Sequence, residues 1–304
     1  MSGVMNTTQF PDISLIITKN LKVIITAIMK TFPSEYPALV EKFKTDLKIE
    51  KRMGYEGEGA ATIKPEGETS DQKRIWEGNI ESATQTTYSV ELPITWEQRH
   101  FVSKNAAFMN QVGQFAARSM KLIKEYDCAN IINLGFSGGP TGYDGEQYFS
   151  ASHTWRSDSS TYDNLLNPVD LGRDAVEDAF IEMAQAKMES NIPLSLIPKV
   201  INIAYSNIFT LPELLKTIKD PESANNTHNV IRDYNIQSNL NHYFTDGSAY
   251  IVDSESKTRG LYTAQPIKFS SYMDNPTDNL IEKGMTSHAT MFYNQAKSFG
   301  SAGS

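Results

Sequence analysis

The sequence predicts an α+β fold, in which helices and strands follow one another within mixed units. The first observation is the segment of residues 192–252, where a proline-bounded apolar run is followed by a short helical pattern at residues 211–218. A polar loop and two strand-like pieces, around residues 231–236 and 249–252, form the rest of this segment. The second observation is a long one-sided helical pattern over residues 96–126.

Two helices are predicted near the start of the chain, after a loose arm of about twelve residues. Apolar residues over positions 14–29 recur at spacings of three and four, which is the period of an amphipathic helix. Two prolines end this pattern, and a second short helix is predicted over residues 38–47. Lys19 and Lys22 interrupt the apolar run, which therefore falls short of the ~20 apolar residues that a membrane span needs.

The segment of residues 50–82 is rich in glycine and glutamate and poor in large apolar residues, so it can bury little surface of its own. A structureless loop of about 30 residues is unusual inside a compact domain unless it has a function, and we interpret the segment as a binding projection. A disordered, solvated loop is the alternative. The candidate intersubunit contacts are an apolar anchor and four acidic residues: Trp76, Glu56, Glu58, Glu66 and Glu68.

A strand is predicted directly after this projection. Tyr88, Val90, Leu92 and Ile94 alternate with less apolar residues, which is the period of a half-buried strand. Pro93 cannot donate a ladder hydrogen bond and therefore favours an edge position.

The helix predicted over residues 96–126 would be about 45 Å long at 1.5 Å per residue. Thr95 and Gln98 have the spacing of a capping box at its start. Its apolar stripe repeats every seven residues at Phe101, Phe108, Phe115 and Leu122. A helix of this length with one apolar side predicts a beam on which a sheet rests. A further helix is predicted over residues 170–190.

The net charge and the cysteine count limit the classes of protein to which the chain can belong. A net charge of −8 over 304 residues argues against a protein that coats DNA, because such proteins are usually basic. The single cysteine, Cys128, excludes an intrachain disulfide framework, fits a reducing compartment and is expected to be buried.

Two candidate sites for chemistry are weak. The glycine-rich segment 135–142 lacks the Lys-Ser or Lys-Thr pair and the following helix of a phosphate loop, so we interpret it as a connector. Asp144, Glu146 and His153 could hold a metal, but their spacings match no common metal site. No catalytic residue, metal or cofactor is therefore assigned, and a metal-dependent hydrolase that uses these three residues stays an alternative.

The order of elements, together with two short motifs, resembles the major capsid protein of tailed bacteriophages, whose fold is called Hong Kong 97-like. Residues 143–153, YDGEQYFSASH, are similar to a segment of the Mu-like major head subunit type. Residues 192–201, IPLSLIPKVI, are similar to the start of that family's axial-domain strand. The chain departs from the family where Thr154 follows His153 in place of proline, and where residues 203–205 replace Val-Val-Pro.

The resemblance implies a domain organisation. Residues 1–48 would be an N-terminal arm and residues 49–94 an extended loop hairpin that lies over a neighbouring subunit. Residues 95–170 and 262–304 would form a peripheral domain whose spine is the helix 96–126, and residues 171–261 an axial domain.

The resemblance also implies a function. The protein would be a structural component of the virion that assembles in the host cytoplasm as pentamers and hexamers. These would form an icosahedral capsid shell that encloses double-stranded DNA without sequence-specific binding. Separate scaffolding, portal and decoration proteins would be its partners, with no membrane association and no enzymatic activity. A phage structural protein that forms rings or tubes is the nearest alternative.

Overall fold

The structure, a computed structural model, describes residues 13–57, 62–64, 66–98, 106–156, 159–219 and 228–304. The chain divides into two compact units. The described parts of residues 1–34, 85–125 and 263–288 form unit 1, and those of residues 35–84, 126–262 and 289–304 form unit 2.

The secondary structure is mixed, as predicted. The helices are α1 (Ile13–Thr31), α2 (Tyr36–Leu39), α3 (Ala106–Asn133), α4 (Arg173–Gln185) and α5 (Thr210–Lys216). The strands are β1 (Glu41–Lys44), β2 (Ile49–Gly57), β3 (Ile75–Thr84), β4 (Thr86–Ile94), β5 (His153–Thr154), β6 (Thr161–Tyr162), β7 (Val200–Ala204), β8 (Gln237–Asn241), β9 (Tyr250–Asp253), β10 (Arg259–Asp274), β11 (Asn279–Phe292) and β12 (Ser298–Ser301). None of the helices in the described ranges combines the length and apolar character that a membrane crossing requires.

Unit 1 is built on the antiparallel pair β4–β11, whose register runs from Leu280 opposite Ile94 to His288 opposite Thr86. The predicted alternation on β4 is confirmed, because its even-numbered residues from Tyr88 onward are half-buried or buried. β4 lies at the end of the strand order β1–β10–β11–β4, which is the edge position that its proline predicted. The core of unit 1 is formed by side chains of α1, α3 and these strands: Ile25, Ile94, Ala116, Ala117 and Leu280.

Unit 2 contains a second sheet in the order β12–β9–β7–β8, in which β8 runs parallel to β7 and β9 antiparallel to it. Every residue of β7 is buried, as expected for a central strand. Helices α4 and α5 contribute to the same core through their apolar faces: Ala175, Val176, Ala179, Met183, Leu211, Leu214 and Leu215. A second core cluster surrounds Cys128, which is fully buried as predicted.

One buried carboxylate connects this sheet to neighbouring segments of unit 2. Asp253, at the end of β9, accepts a hydrogen bond from Asn202 Nδ2 on β7 at 2.6 Å. It also accepts hydrogen bonds from Arg259 on β10 and Ser298 on β12, and one from Thr258 Oγ1 at 3.2 Å. Asp253 and Arg259 are both 1% exposed, so their charges are compensated by each other and by these donors and not by water.

Two sequence predictions in unit 2 were wrong. The helix predicted over residues 38–47 is instead the short α2 followed by strand β1, because Phe43 alternates with polar neighbours and stacks on Tyr262 at 4.9 Å between ring centroids. The piece predicted as strand-like at residues 231–236 is a 3₁₀ turn. Asn235 ends this turn in the left-handed region at φ 50°, and the strand begins at Gln237.

The long helix differs from its predicted bounds at its end. Helix α3 continues to Asn133, because Cys128, Ile131 and Ile132 extend its buried stripe beyond residue 126. At the predicted start, Thr95 and Gln98 form the expected capping box, with reciprocal hydrogen bonds of 3.1 and 3.2 Å. Residues 99–105, Phe101 among them, lie outside the described part of the chain.

We expect Asp253→Ala to lower the free energy of unfolding by about 3–5 kcal/mol, because it leaves the Arg259 guanidinium buried without its counter-charge. Urea denaturation at neutral pH measures this. The matched control is Glu255→Ala, which removes the same charge two residues away but from a half-exposed pair with Lys297, and should cost under about 1 kcal/mol. Equal losses in the two variants would contradict the role assigned to Asp253.

Candidate functional site: the β2–β3 hairpin and its base

Strands β2 and β3 form a two-stranded antiparallel sheet of their own, which we call the hairpin. The register pairs Ile49 with Thr84 at one end and Gly57 with Ile75 at the other. It shifts between Met53 and Tyr55, where Gly54 approaches the Asn79 backbone. A two-stranded hairpin is marginally stable on its own, so its order depends on what it contacts.

The far end of the hairpin is exposed and partly apolar. Tyr55 is 71% exposed, Ile75 is 77% exposed, and Ile63 in the connecting segment is 95% exposed. Apolar side chains that protrude singly are ordinary, but three within one short segment of a projection are candidates for contact with another protein.

The sequence-predicted contact residues are distributed along this projection. Glu66 and Glu68 are exposed on either side of Gly67, whose φ of 82° fits a left-handed turn position. The register places Glu56 opposite Trp76 across the two strands. The side chains of these two residues, and all of Glu58, lie outside the described part of the structure.

The middle and near end of the hairpin, which we together call its base, contact the rest of unit 2 through Arg52, Gly78, Glu81 and Ala83. Arg52 places its guanidinium carbon 3.8 Å from the centroid of the Tyr293 ring, a cation–π contact. Arg156 Nη1 donates a hydrogen bond of 3.3 Å to the carbonyl oxygen of Gly78. Ala83 packs in the apolar cluster that contains Tyr262, Ala289 and Met291.

The carboxyl group of Glu81 is the most buried polar group of the base, and the residue is 7% exposed. Its Oε1 accepts the backbone N–H of Tyr143 at 3.1 Å and Gln295 Nε2 at 2.9 Å. Burial raises the pKa of Glu81 to about 7, and the nearby charge of Asp144 adds to this rise. The hydrogen bond from the Tyr143 N–H and the charge of His153 act in the opposite direction and lower the pKa.

A buried pair of hydrogen-bonded side chains, Asp144 and His153, lies beside Glu81. His153 Nδ1 lies 2.7 Å from Asp144 Oδ2, and both side chains are almost completely buried. Burial by itself would raise the pKa of Asp144, but the hydrogen bond and the charge of His153, together with two backbone N–H groups, outweigh it and lower this pKa. The imidazole ring stacks on Tyr162 at 4.9 Å between centroids.

His153 is held in the protein interior by contacts at both ring nitrogens. Its Nδ1 faces Asp144, and its Nε2 lies 3.3 Å from the carbonyl oxygen of Tyr148, so both ring nitrogens have a partner within the protein. Such an arrangement fixes the orientation of the ring. Glu146, the third residue of the metal hypothesis, accepts a hydrogen bond from Ser150 Oγ instead. Within the described ranges, no group of three or more His, Cys, Asp or Glu side chains could hold a metal ion.

A cavity of about 360 Å³ lies next to the base of the hairpin. Its walls combine aromatic rings with polar groups of the base and of the body of unit 2, including Tyr55, Glu81, Tyr143, Trp155 and Gln295. The cavity gives the Glu81 side chain room to change its position.

The structure brings the hairpin strands together, but sequence reasoning missed the groups that fix their base. Glu81 and Gln295 are 214 positions apart, and Arg52 contacts an aromatic residue near the chain's end. One local signal was present: Glu81 lies between Ile80 and Ala83 in a strand, which indicates a partly buried carboxyl.

Comparison by sequence finds no matching family model and no matching curated protein. Comparison by structure finds a protein of the mature capsid of bacteriophage PhiM1, at 12% identity and a TM-score of 0.56, covering 89% of this chain and 87% of that one. A protein of Mycobacterium phage Adephagia matches at 10% identity and a TM-score of 0.58, covering 90% and 91%. The capsid of cyanophage P-SCSP1u matches at 9% identity and a TM-score of 0.56, covering 90% and 89%.

These similarities extend over nearly the full length of both chains in each pair. The chain therefore has the fold of phage capsid proteins, and the predicted α+β capsid fold is confirmed.

We expect Asp144 and His153 to be coupled in folding stability and not in catalysis. A double-mutant cycle of Asp144→Ala and His153→Ala, measured by urea denaturation, should give a coupling free energy of about 1–3 kcal/mol. The control is the same cycle on His228 and Asp233, which are 2.9 Å apart but more than half exposed, and whose coupling should be near zero. Stoichiometric metal in the purified protein, lost in these variants, would contradict this interpretation.

Proposed function

We propose that this chain is a structural subunit that assembles as pentamers and hexamers into an icosahedral capsid shell around double-stranded DNA. The observation that carries the proposal is the hairpin, in which an exposed apolar end projects from a base held by polar contacts. The similarity to phage capsid structures over about nine-tenths of the chain supports it.

The hairpin acts in assembly by contacting a second copy of the chain. Tyr55, Ile63 and Ile75 present apolar surface that a neighbouring subunit can cover, and Trp76 is the proposed anchor of this contact. Each copy both gives and receives such a contact, so modest individual affinities combine in a closed shell.

The net charge of the chain indicates how a shell built from it interacts with the enclosed DNA. With a net charge of −8, the shell contains DNA without binding it tightly or reading its sequence. Separate scaffolding, portal and decoration proteins complete the particle, which is assembled in the host cytoplasm and becomes part of the virion. The chain has no catalytic role in this proposal, and no cofactor or membrane takes part in it.

Negative-stain electron microscopy and sedimentation of the purified full chain test the proposal. We expect closed shells of uniform size, formed by the chain alone or with its scaffolding partner. Rings or tubes would favour the alternative of another phage structural protein. Small discrete species under all conditions, with the scaffolding partner present, would overturn the proposal.

Replacing the apolar tip by charge should weaken assembly. We expect Ile63→Asp combined with Ile75→Asp to raise the critical concentration for shell formation at least about 10-fold, because loss of a buried apolar contact costs roughly 1.4 kcal/mol or more. Light scattering across a concentration series measures it. The control Thr69→Asp adds charge to the same exposed segment without removing an apolar side chain, and should have a smaller effect.

The acidic turn should affect the rate of assembly more than its end point. Exposed charges at the rim of an interface act mainly on association rate and salt dependence. We therefore expect Glu66→Gln with Glu68→Gln to change the initial assembly rate several-fold at low salt and little at high salt, with shells still formed. A rate that is independent of salt in both proteins would remove these two residues from the interface.

A further inference from the structure

The attachment of the hairpin base to the body of unit 2 depends strongly on one titratable group. Two donors from distant parts of the chain, the Tyr143 N–H and Gln295 Nε2, converge on the same oxygen of Glu81. The other contacts of the base are a cation–π contact, a weaker hydrogen bond to a backbone carbonyl and apolar packing. Among these, the Glu81 carboxyl is the group whose own charge changes within the accessible pH range.

The surroundings of Glu81 favour its neutral form. Burial favours the neutral form and so does the charge of Asp144, whereas the Tyr143 N–H and the charge of His153 favour the ionised form. Arg52 stands opposite Glu81 in the strand register. The other titratable groups around the adjoining cavity are Arg52, Tyr55, Tyr143, Tyr162, Glu189, Tyr293 and Lys297. Arg52 lies over the Tyr293 ring and Lys297 is paired with Glu255, so both cations have partners other than Glu81. Tyr148, whose pKa is raised to about 12, stays neutral throughout the physiological range.

We propose that Glu81 is a proton-controlled latch for the hairpin: the neutral carboxyl stays buried beside Tyr143 and Gln295, whereas ionisation favours release of the base, because a buried carboxylate loses more hydration than these two uncharged donors replace. The adjoining cavity of about 360 Å³ provides space for this movement and a route for water to the carboxylate. The proposal concerns the single chain and does not depend on shell assembly.

The direction follows from linkage between proton binding and opening. In the closed form the pKa of Glu81 is about 7, and in an open, hydrated form it returns toward the ordinary value of 4.5. The closed form therefore binds the proton more tightly than the open form does. The resulting stabilisation of the closed form is complete below pH 4.5 and is lost as pH rises through 7. Between pH 5 and pH 8 the ratio of open to closed hairpin should rise by roughly one to two orders of magnitude.

Hydrogen exchange of the unassembled full chain, followed by mass spectrometry, tests the latch. Protection factors, corrected for the chemical pH dependence of exchange, are compared between pH 5 and pH 8 for peptides from β2 and β3. We expect protection in the wild-type hairpin to fall at least 10-fold, with a midpoint near pH 7, while peptides from β7 and β9 keep theirs. A flat wild-type profile would overturn the proposal without any variant being made.

Two glutamine variants isolate the group responsible. Glu81→Gln keeps the oxygen that accepts both hydrogen bonds but cannot ionise, so its hairpin should stay protected at pH 8. Glu77→Gln is the matched control, because it removes the same charge from an exposed position on the same strand, and should behave as the wild type. If the hairpin of the Glu81→Gln variant loses as much protection between pH 5 and pH 8 as the wild type does, another group controls the hairpin and the latch is rejected. Since no step involves assembly, failure of shell formation would leave this result unaffected.

Discussion

The buried carboxylate of Asp253 is the constraint on which the architecture of unit 2 depends. A charge in a site that is 1% exposed is tolerated only if it is paired and hydrogen-bonded, and Asp253 takes its partners from β7, β10 and β12 as well as from the turn before β10. Each partner reaches the carboxylate only when its strand is in register. The apolar core supplies most of the free energy of folding, and this network specifies which strand arrangement is adopted.

Glu81 shows what happens when a buried carboxyl has a different set of neighbours. Asp253 faces a guanidinium group, whereas Glu81 faces two uncharged donors and lies near a second carboxylate, Asp144. At Glu81, burial outweighs the two donors and, together with the charge of Asp144, favours the neutral form. The sheet is therefore held by a buried salt bridge, while the proposed latch makes the contact at the hairpin base depend on a proton.

Local periodicity predicted the elements whose burial follows from their own sequence. The alternation before Pro93 gave β4 and its edge position, and the Thr95–Gln98 spacing gave the capping box. The mistakes occurred where distant contacts decide the structure. Phe43 lies in a strand and not a helix because Tyr262, far along the chain, offers it an aromatic surface. For the same reason the hairpin could be predicted as a projection, but the groups at its base could not, because Gln295 and Tyr143 reach Glu81 only after the fold has formed.

The two ends of the hairpin have different roles: the base sets the orientation of the strands, and the exposed end supplies apolar surface for binding. Hydrogen bonds are directional, so the contacts made by Glu81 and Gly78 fix the angle at which the strands leave the body of unit 2. Apolar contact is not directional, so Tyr55, Ile63 and Ile75 can contribute binding free energy to neighbours that differ slightly in geometry. In the proposed shell, a subunit that occupies both pentamers and hexamers would need this combination, because one sequence must make the same contact at unequal angles. The proposed latch at Glu81 would add control over when the angle is fixed, independently of the apolar surface that the hairpin carries.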